Sequence, residues 1–192
     1  MTDTEQKNTW AHVQMGLIAA AFGVPLLLAA LMYYGGALVP DARTNNGALL
    51  QPFVRLVDEL PDSEIHKSAP DQWLMVYVNE QPCAEECAEG LYRMRQMRLM
   101  LGDDMKRVSR IFLHGDTPPD RVLVEEQHAG LITIADKELA ALLEGKRPAE
   151  LQSGGCFLID PLGNLVMYFD PGLNPNEVVG DIEHLLKLSR IG

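Results

Sequence analysis

Cysteine is scarce in this chain of 192 residues: Cys83, Cys87 and Cys156 are the only three. So few cysteines exclude a disulfide framework. Positive charge is also in short supply, with 16 Lys and Arg against 27 Asp and Glu, a net charge of −11. Asp3, Glu5 and Lys7 leave one net negative charge in the first 40 residues, so the acidity lies almost wholly beyond them. Such a chain is repelled by nucleic acid and by anionic headgroups; it suits a basic partner or a metal ion. Aromatic residues make up only 6%, so aliphatic side chains dominate. The chain has no Walker loop, no GxGxxG, no HExxH and no Ser-His-Asp arrangement. There is no internal repeat and no low-complexity segment.

Charge is missing altogether between Lys7 and Asp41, counting His12 as neutral. Within that stretch, Met15 to Tyr34 is an apolar run whose twenty residues would span roughly 30 Å as a helix, the thickness of a bilayer core. Trp10 lies before it and Tyr33 and Tyr34 close it, where aromatic belts sit. Pro25 falls mid-span and is tolerated in membranes. A cleaved signal peptide would have a basic start and a shorter apolar core. A buried helix of a soluble protein would not be apolar on all faces at a chain end. The expectation is a tail over 1–14 and an uncleaved transmembrane anchor over 15–34. A linker and lead-in over 35–70 and a domain over 71–192 complete the division. One lysine before the span against Arg43 after it does not decide orientation; the short N-terminal tail favours a domain outside the cytoplasm.

Beyond the anchor, Asn45-Asn46-Gly47 and prolines 40, 52, 61 and 70 mark the lead-in, within which Leu49 to Leu56 form a short strand or an apolar approach. Trp73 to Val78 reads as a buried strand. From Cys83 to Leu101 the apolar spacing is helical, and Gly102 is its stop. Val108 to Leu113 and Leu131 to Ile134 read as strands, with a helix over Asp136 to Leu143 stopped by Gly145. Cys156 to Asp160 and Leu165 to Phe169 form a hairpin around Pro161-Leu162-Gly163-Asn164. Asn174-Pro175 caps and opens a last helix with Val178, Val179, Ile182, Leu185 and Leu186 on one face. This order predicts an α/β domain with a mixed sheet covered by helices.

Cys83-Ala84-Glu85-Glu86-Cys87 carries the chemistry. It leaves a strand and opens a helix, and residues four apart share a helix face. The two sulfurs are placed to form a disulfide or to hold one soft metal ion, and the helix N-terminus favours thiolate at Cys83. The bland alternative is a pair of small core residues. His114, leaving the second strand, is a candidate third ligand or an exposed loop histidine. His128 reads as solvated, and His184 as a surface or packing residue. Met94, Met97, Met100 and Met105 have the spacing of a packing face, and Arg93, Arg95 and Arg98 that of a solvated basic stripe.

An anchor, then strand–CxxxC–helix, then the Phe157-Leu158-Ile159-Asp160-Pro161-Leu162-Gly163 hairpin, resembles the Sco/SenC family over about residues 45–190. The resemblance implies a thioredoxin-like fold and a role in copper-site assembly of cytochrome c oxidase. It also implies a location on the inner membrane with the domain in the periplasm. Cys83 and Cys87 match the family's copper-binding cysteines. The family's distal histidine falls on Gln152, a poor donor for soft Cu(I). Cys156 is a possible soft replacement or a packed core cysteine. Copper binding, reduction of a partner's cysteines, a general membrane-tethered thiol–disulfide oxidoreductase and a non-catalytic assembly factor therefore all stay open. General oxidoreductases of this fold carry CxxC, with a cis-proline opposite it just before the third strand; here the spacing is three, and Gln152 to Phe157 contains no proline.

Overall fold

The computed structural model describes residues 3–34 and 45–189. The chain divides into two compact units, Met1–Arg43 and Thr44–Gly192. The described part of the first is one helix, α1 (Asp3–Tyr34). Its segment His12–Met32, 21 residues, is long and apolar enough to cross a membrane. Leu17, Phe22, Leu26 and Leu31 all stand exposed on it, surface that a bilayer would cover, and the helix fits a single-pass anchor. Residues 35–44 of the expected linker lie outside the described residues, as does the side chain of Tyr33.

The second unit is a six-stranded mixed sheet in the order β1-β6-β5-β2-β3-β4. The strands are β1 (Ala48–Arg55), β2 (Trp73–Asn79), β3 (Val108–His114), β4 (Leu131–Ala135), β5 (Cys156–Ile159) and β6 (Asn164–Phe169). Its helices are α2 (Leu56–Glu59), α3 (Ile65–Ser68), α4 (Glu85–Met100), α5 (Lys137–Lys146) and α6 (Pro175–Leu188). β2 runs parallel to β3, and β3 to β4, while β5 is antiparallel to both β2 and β6. β2 is central and buried on both faces, which is why it reads as a continuous apolar run without alternation.

The lead-in expected over 35–70 contains β1, which pairs antiparallel with β6. The folded unit therefore begins before β1 and not at residue 71. β1 sits at the sheet edge, where Pro52 is tolerated.

One face of the sheet packs on α4 and α6 through Met75, Leu91, Met94, Phe112, Val178 and Ile182. The other packs on α5, α2 and α3 through Val76, Leu113, Leu139, Leu143, Leu56 and Ile65. Asp136 caps α5 by accepting from Leu139 N at 2.9 Å, and α5 continues through Gly145 to Lys146. α6 opens as expected, with Pro175 in its first turn and a capping box between Asn174 and Glu177. A six-residue 3₁₀ segment (Gly102–Arg107) follows α4, and a π-helical segment (Val122–Gln127) precedes β4. Neither has a hydrophobic period of its own.

Candidate functional site

Topology gathers four loops at one end of the sheet. β2 and β3 are parallel and both end there, at Asn79 and His114. β5 begins there with Cys156 beside Tyr77, and β6 ends there with Phe169 beside Cys156. The loops after β2 and β3 touch: a Cβ on Gly115 would lie 2.1 Å from Glu80 O, so the approach requires glycine. A cleft of about 580 Å³ opens among the β2–α4, pre-β5 and β6–α6 loops.

The cysteine pair lies on this cleft, with Cys87 among the residues that line it. Cys83 and Cys87 are joined, with Cα atoms 5.1 Å apart. Cys87 is buried in the first turn of α4, whereas Cys83 is half-buried and lies outside the helix, ahead of its N-cap Ala84. The expected helix from Cys83 is thus shorter at its start. The sulfurs meet because the chain folds back into the helix, not because both ride on one helical face. Cys83 is the more accessible sulfur.

The opposite wall is the loop 152–155. Tyr168 pins it: its hydroxyl donates to Gln152 O and accepts from Gly155 N at 3.0 Å. Burial pushes that phenol up to about 12, so it stays protonated. Gln152 N donates to Asp170 Oδ2 at 2.9 Å. A Cβ on Gly155 would sit 2.1 Å from Phe169 O, so the wall closes only with glycine there. Arg93, expected on a solvated stripe, instead donates to Pro171 O and, at 2.9 Å, to Leu173 O, tying α4 to the β6–α6 loop. Arg98 likewise donates to Val108 O at 2.6 Å. Sequence spacing does not reveal these three bonds, because their acceptors are backbone carbonyls of other elements. Glu86 faces Tyr77, whose phenol is raised by burial first and by that carboxylate second.

The other candidates separate. Cys156 is a buried free thiol on the cleft wall, donating toward Phe157 O at 3.5 Å. Burial raises its pKa to about 12, so it is held as a thiol. His114 is half-buried at the end of β3, with Nδ1 2.7 Å from Gly115 O and its ring near Phe112; it does not line the cleft. His128, expected to be solvated, is buried at 3% exposure, because the segment before β4 folds onto the sheet. His184 is exposed, Met94 and Met97 are core, and Met100 is exposed. The exposed Gln152 holds the loop through its backbone N and O. Among the described residues no three His, Cys, Asp or Glu side chains are grouped to hold a metal ion. Two sulfurs joined as a disulfide, with no third donor beside them, do not fit a resident copper site.

Residues 73–189 match the family described as transmembrane-like, thioredoxin-like, C-terminal domain. The chain belongs to that family. Its fold is that of the Sco/SenC proteins as well. Yeast Sco1 superposes with a TM-score of 0.52 at 14% identity, over 65% of this chain and 85% of that one. Yeast Sco1 with copper bound gives 0.51 at 15%, over 62% and 81%. The apo Sco1 protein of Thermus thermophilus gives 0.49 at 20%, over 62% and 83%. No curated protein matches the chain in sequence.

Proposed function

We propose that this chain is a membrane-tethered dithiol–disulfide protein that acts on a cysteine pair of a membrane partner. The partner proposed is a cytochrome c oxidase subunit or an assembly protein of that respiratory complex. The proposed setting is the inner membrane, anchored by residues 15–34, with the domain over 44–192 in the periplasm. The observation that carries the reading is the bonded Cys83–Cys87 pair at a cleft, with Cys83 half-buried, Cys87 buried and no third metal donor grouped with them among the described residues.

In the reducing direction, the Cys83 thiolate attacks one sulfur of the partner's disulfide. That bond breaks, a Cys83–partner bond forms, and the other partner sulfur leaves as thiolate and takes a proton. Cys87, deprotonated, then attacks Cys83 Sγ and releases the second partner thiol. The pair ends as the disulfide seen here, two electrons having passed to the partner. A cellular dithiol must restore it. Tethering raises the effective concentration of the pair at a membrane target.

Yeast Sco1 has been solved with copper bound, which favours a second reading in which the reduced pair carries Cu(I) as cargo. In that reading the two thiolates of the reduced pair are the soft donors.

The deciding experiment mixes the reduced 192-residue chain in detergent with a peptide disulfide and follows both by mass spectrometry. Exchange through a Cys83 mixed disulfide, absent in Cys83→Ser, is expected. Exchange no faster than in the double serine variant would overturn the redox reading. A parallel Cu(I) competition titration, with binding confined to the reduced pair, would move the proposal to cargo.

A further inference from the structure

Away from the cleft, the α4 face of the sheet holds a group of cations with no carboxylate among them. Arg110 projects from the middle of β3, in register with Met75 and Leu131, and is only 4% exposed. Its Nη2 donates to Ala129 O at 2.8 Å. Its Nη1 is buried with no partner. His128, 3% exposed, has a buried Nδ1 that also lacks a partner. Arg95 and Arg98 are half-buried on α4. The positive charges of Arg98 and Arg95 bear on Arg110, and those of Arg110 and Arg95 on His128. Folded proteins bury charges almost only when paired, and buried donors only when bonded. Here a guanidinium is buried beside three further basic groups with two nitrogens idle.

We propose that Arg95, Arg98, Arg110 and His128, between α4 and the segment leading into β4, bind a small tetrahedral oxyanion such as phosphate or sulfate. Arg110 and His128 form the floor and the half-buried Arg95 and Arg98 the mouth. A guanidinium matches two oxygens of such an anion with parallel N–H bonds. The near-complete burial of Arg110 and His128 favours a small ion over a bulky group. This site is independent of the cysteine reading.

His128 is faced by Arg110 from β3 and Arg95 from α4, while Glu125 and Glu126 on its own segment are exposed. Burial first, and these cations second, hold its pKa below the ordinary value. A bound anion reverses the second effect, so binding takes up a proton and tightens as pH falls.

The test titrates the 192-residue chain in detergent with sodium phosphate against sodium chloride at constant ionic strength, by calorimetry and by thermal melting. Saturable binding and a higher Tm in phosphate are expected. Arg95→Gln, at the half-exposed mouth, weakens binding about tenfold, the worth of one charge-assisted hydrogen bond. Arg110→Met removes binding while leaving an apolar residue of similar length that lets the fold form. His128→Gln removes the tightening at low pH. Equal behaviour in phosphate and chloride overturns the proposal. So does an unchanged affinity in Arg95→Gln, which decides the matter alone if Arg110→Met does not fold.

Discussion

The two faces of the sheet differ in what they bury. Between the sheet and α5, Leu74, Val76, Val78, Ile111, Leu113 and Ile134 of the strands meet Leu139 and Leu143 of the helix, an aliphatic layer joined by Phe157 and Tyr168. Under α4 and α6 lie apolar residues too, but among them are Cys87 and Cys156, with Arg110 between Val108 and Phe112 on the same face of β3. The described residues contain three buried side-chain nitrogens without a partner, on Trp73, Arg110 and His128. Trp73 belongs to the α4-side core, and Arg110 alternates with that core's residues on β3. One face is built to hold the sheet together; the other accepts polar imperfection beside its reactive groups. Local departure from ideal packing on one side, carried by an orderly other side, is what functional sites cost a fold.

The largest contrast is expected at sulfur. At pH 8 and after reduction, Cys83 should alkylate readily, while Cys156, raised from 9.0 to about 12 by burial, should react about a thousandfold more slowly than an ordinary thiol. Peptide mapping after iodoacetamide checks this, and equal labelling would remove Cys156 from the buried layer. Next comes Leu143→Ala on the α5 face, fully buried, which should cost about 3 kcal/mol in denaturant unfolding. The Cys83–Cys87 reduction potential should stay where it was; a shifted potential would mean the faces are coupled. Tyr168→Phe should cost about 2 kcal/mol by leaving Gly155 N without its acceptor, and should slow thiol exchange if loop 152–155 forms the cleft wall. Asp136→Ala should cost about 1 kcal/mol, the worth of an N-cap, with exchange rates unchanged.

The smallest effect is one of pH. His128 has a folded pKa below 6.5, so the unfolded chain binds the extra proton first. Stability should therefore fall as pH drops below about 6.5, and thermal melts of His128→Gln should show a shallower slope in chloride buffer.

Much of this was legible along the chain because it is local. The apolar run of β2, the Asn174–Pro175–Glu177 opening of α6 and the Asp160–Asn164 turn each announce themselves within a few residues. So does the CxxxC spacing. What is less legible depends on distant partners. The stretch from Leu49 to Leu56, read as a short strand or an apolar approach, is β1, but its pairing is with a strand more than a hundred residues away. It carries a proline, and only Leu50 along it is buried, so neither alternation nor a continuous run decides between the two readings. The burial of His128 depends on a π-helical segment with no period of its own. The bonds that place α4 run from Arg93 and Arg98 to carbonyls, which no residue pattern records.

Asp181 on α6 has a consequence for a tethered protein. Its carboxylate accepts from Asn46 N and Gly47 N at 2.8 Å each and from Asn46 Nδ2 at 3.2 Å. Asn46 and Gly47 stand at the head of the folded unit, just after the stretch that leads from the anchor. Gly47 also lies against Phe169, whose ring a Cβ there would meet, and Phe169 lines the cleft beside Cys156. The clasp therefore fastens the N-terminal end of the folded unit at the same end of the sheet as the reactive sulfurs, and loosening it would reach the cleft wall through Phe169.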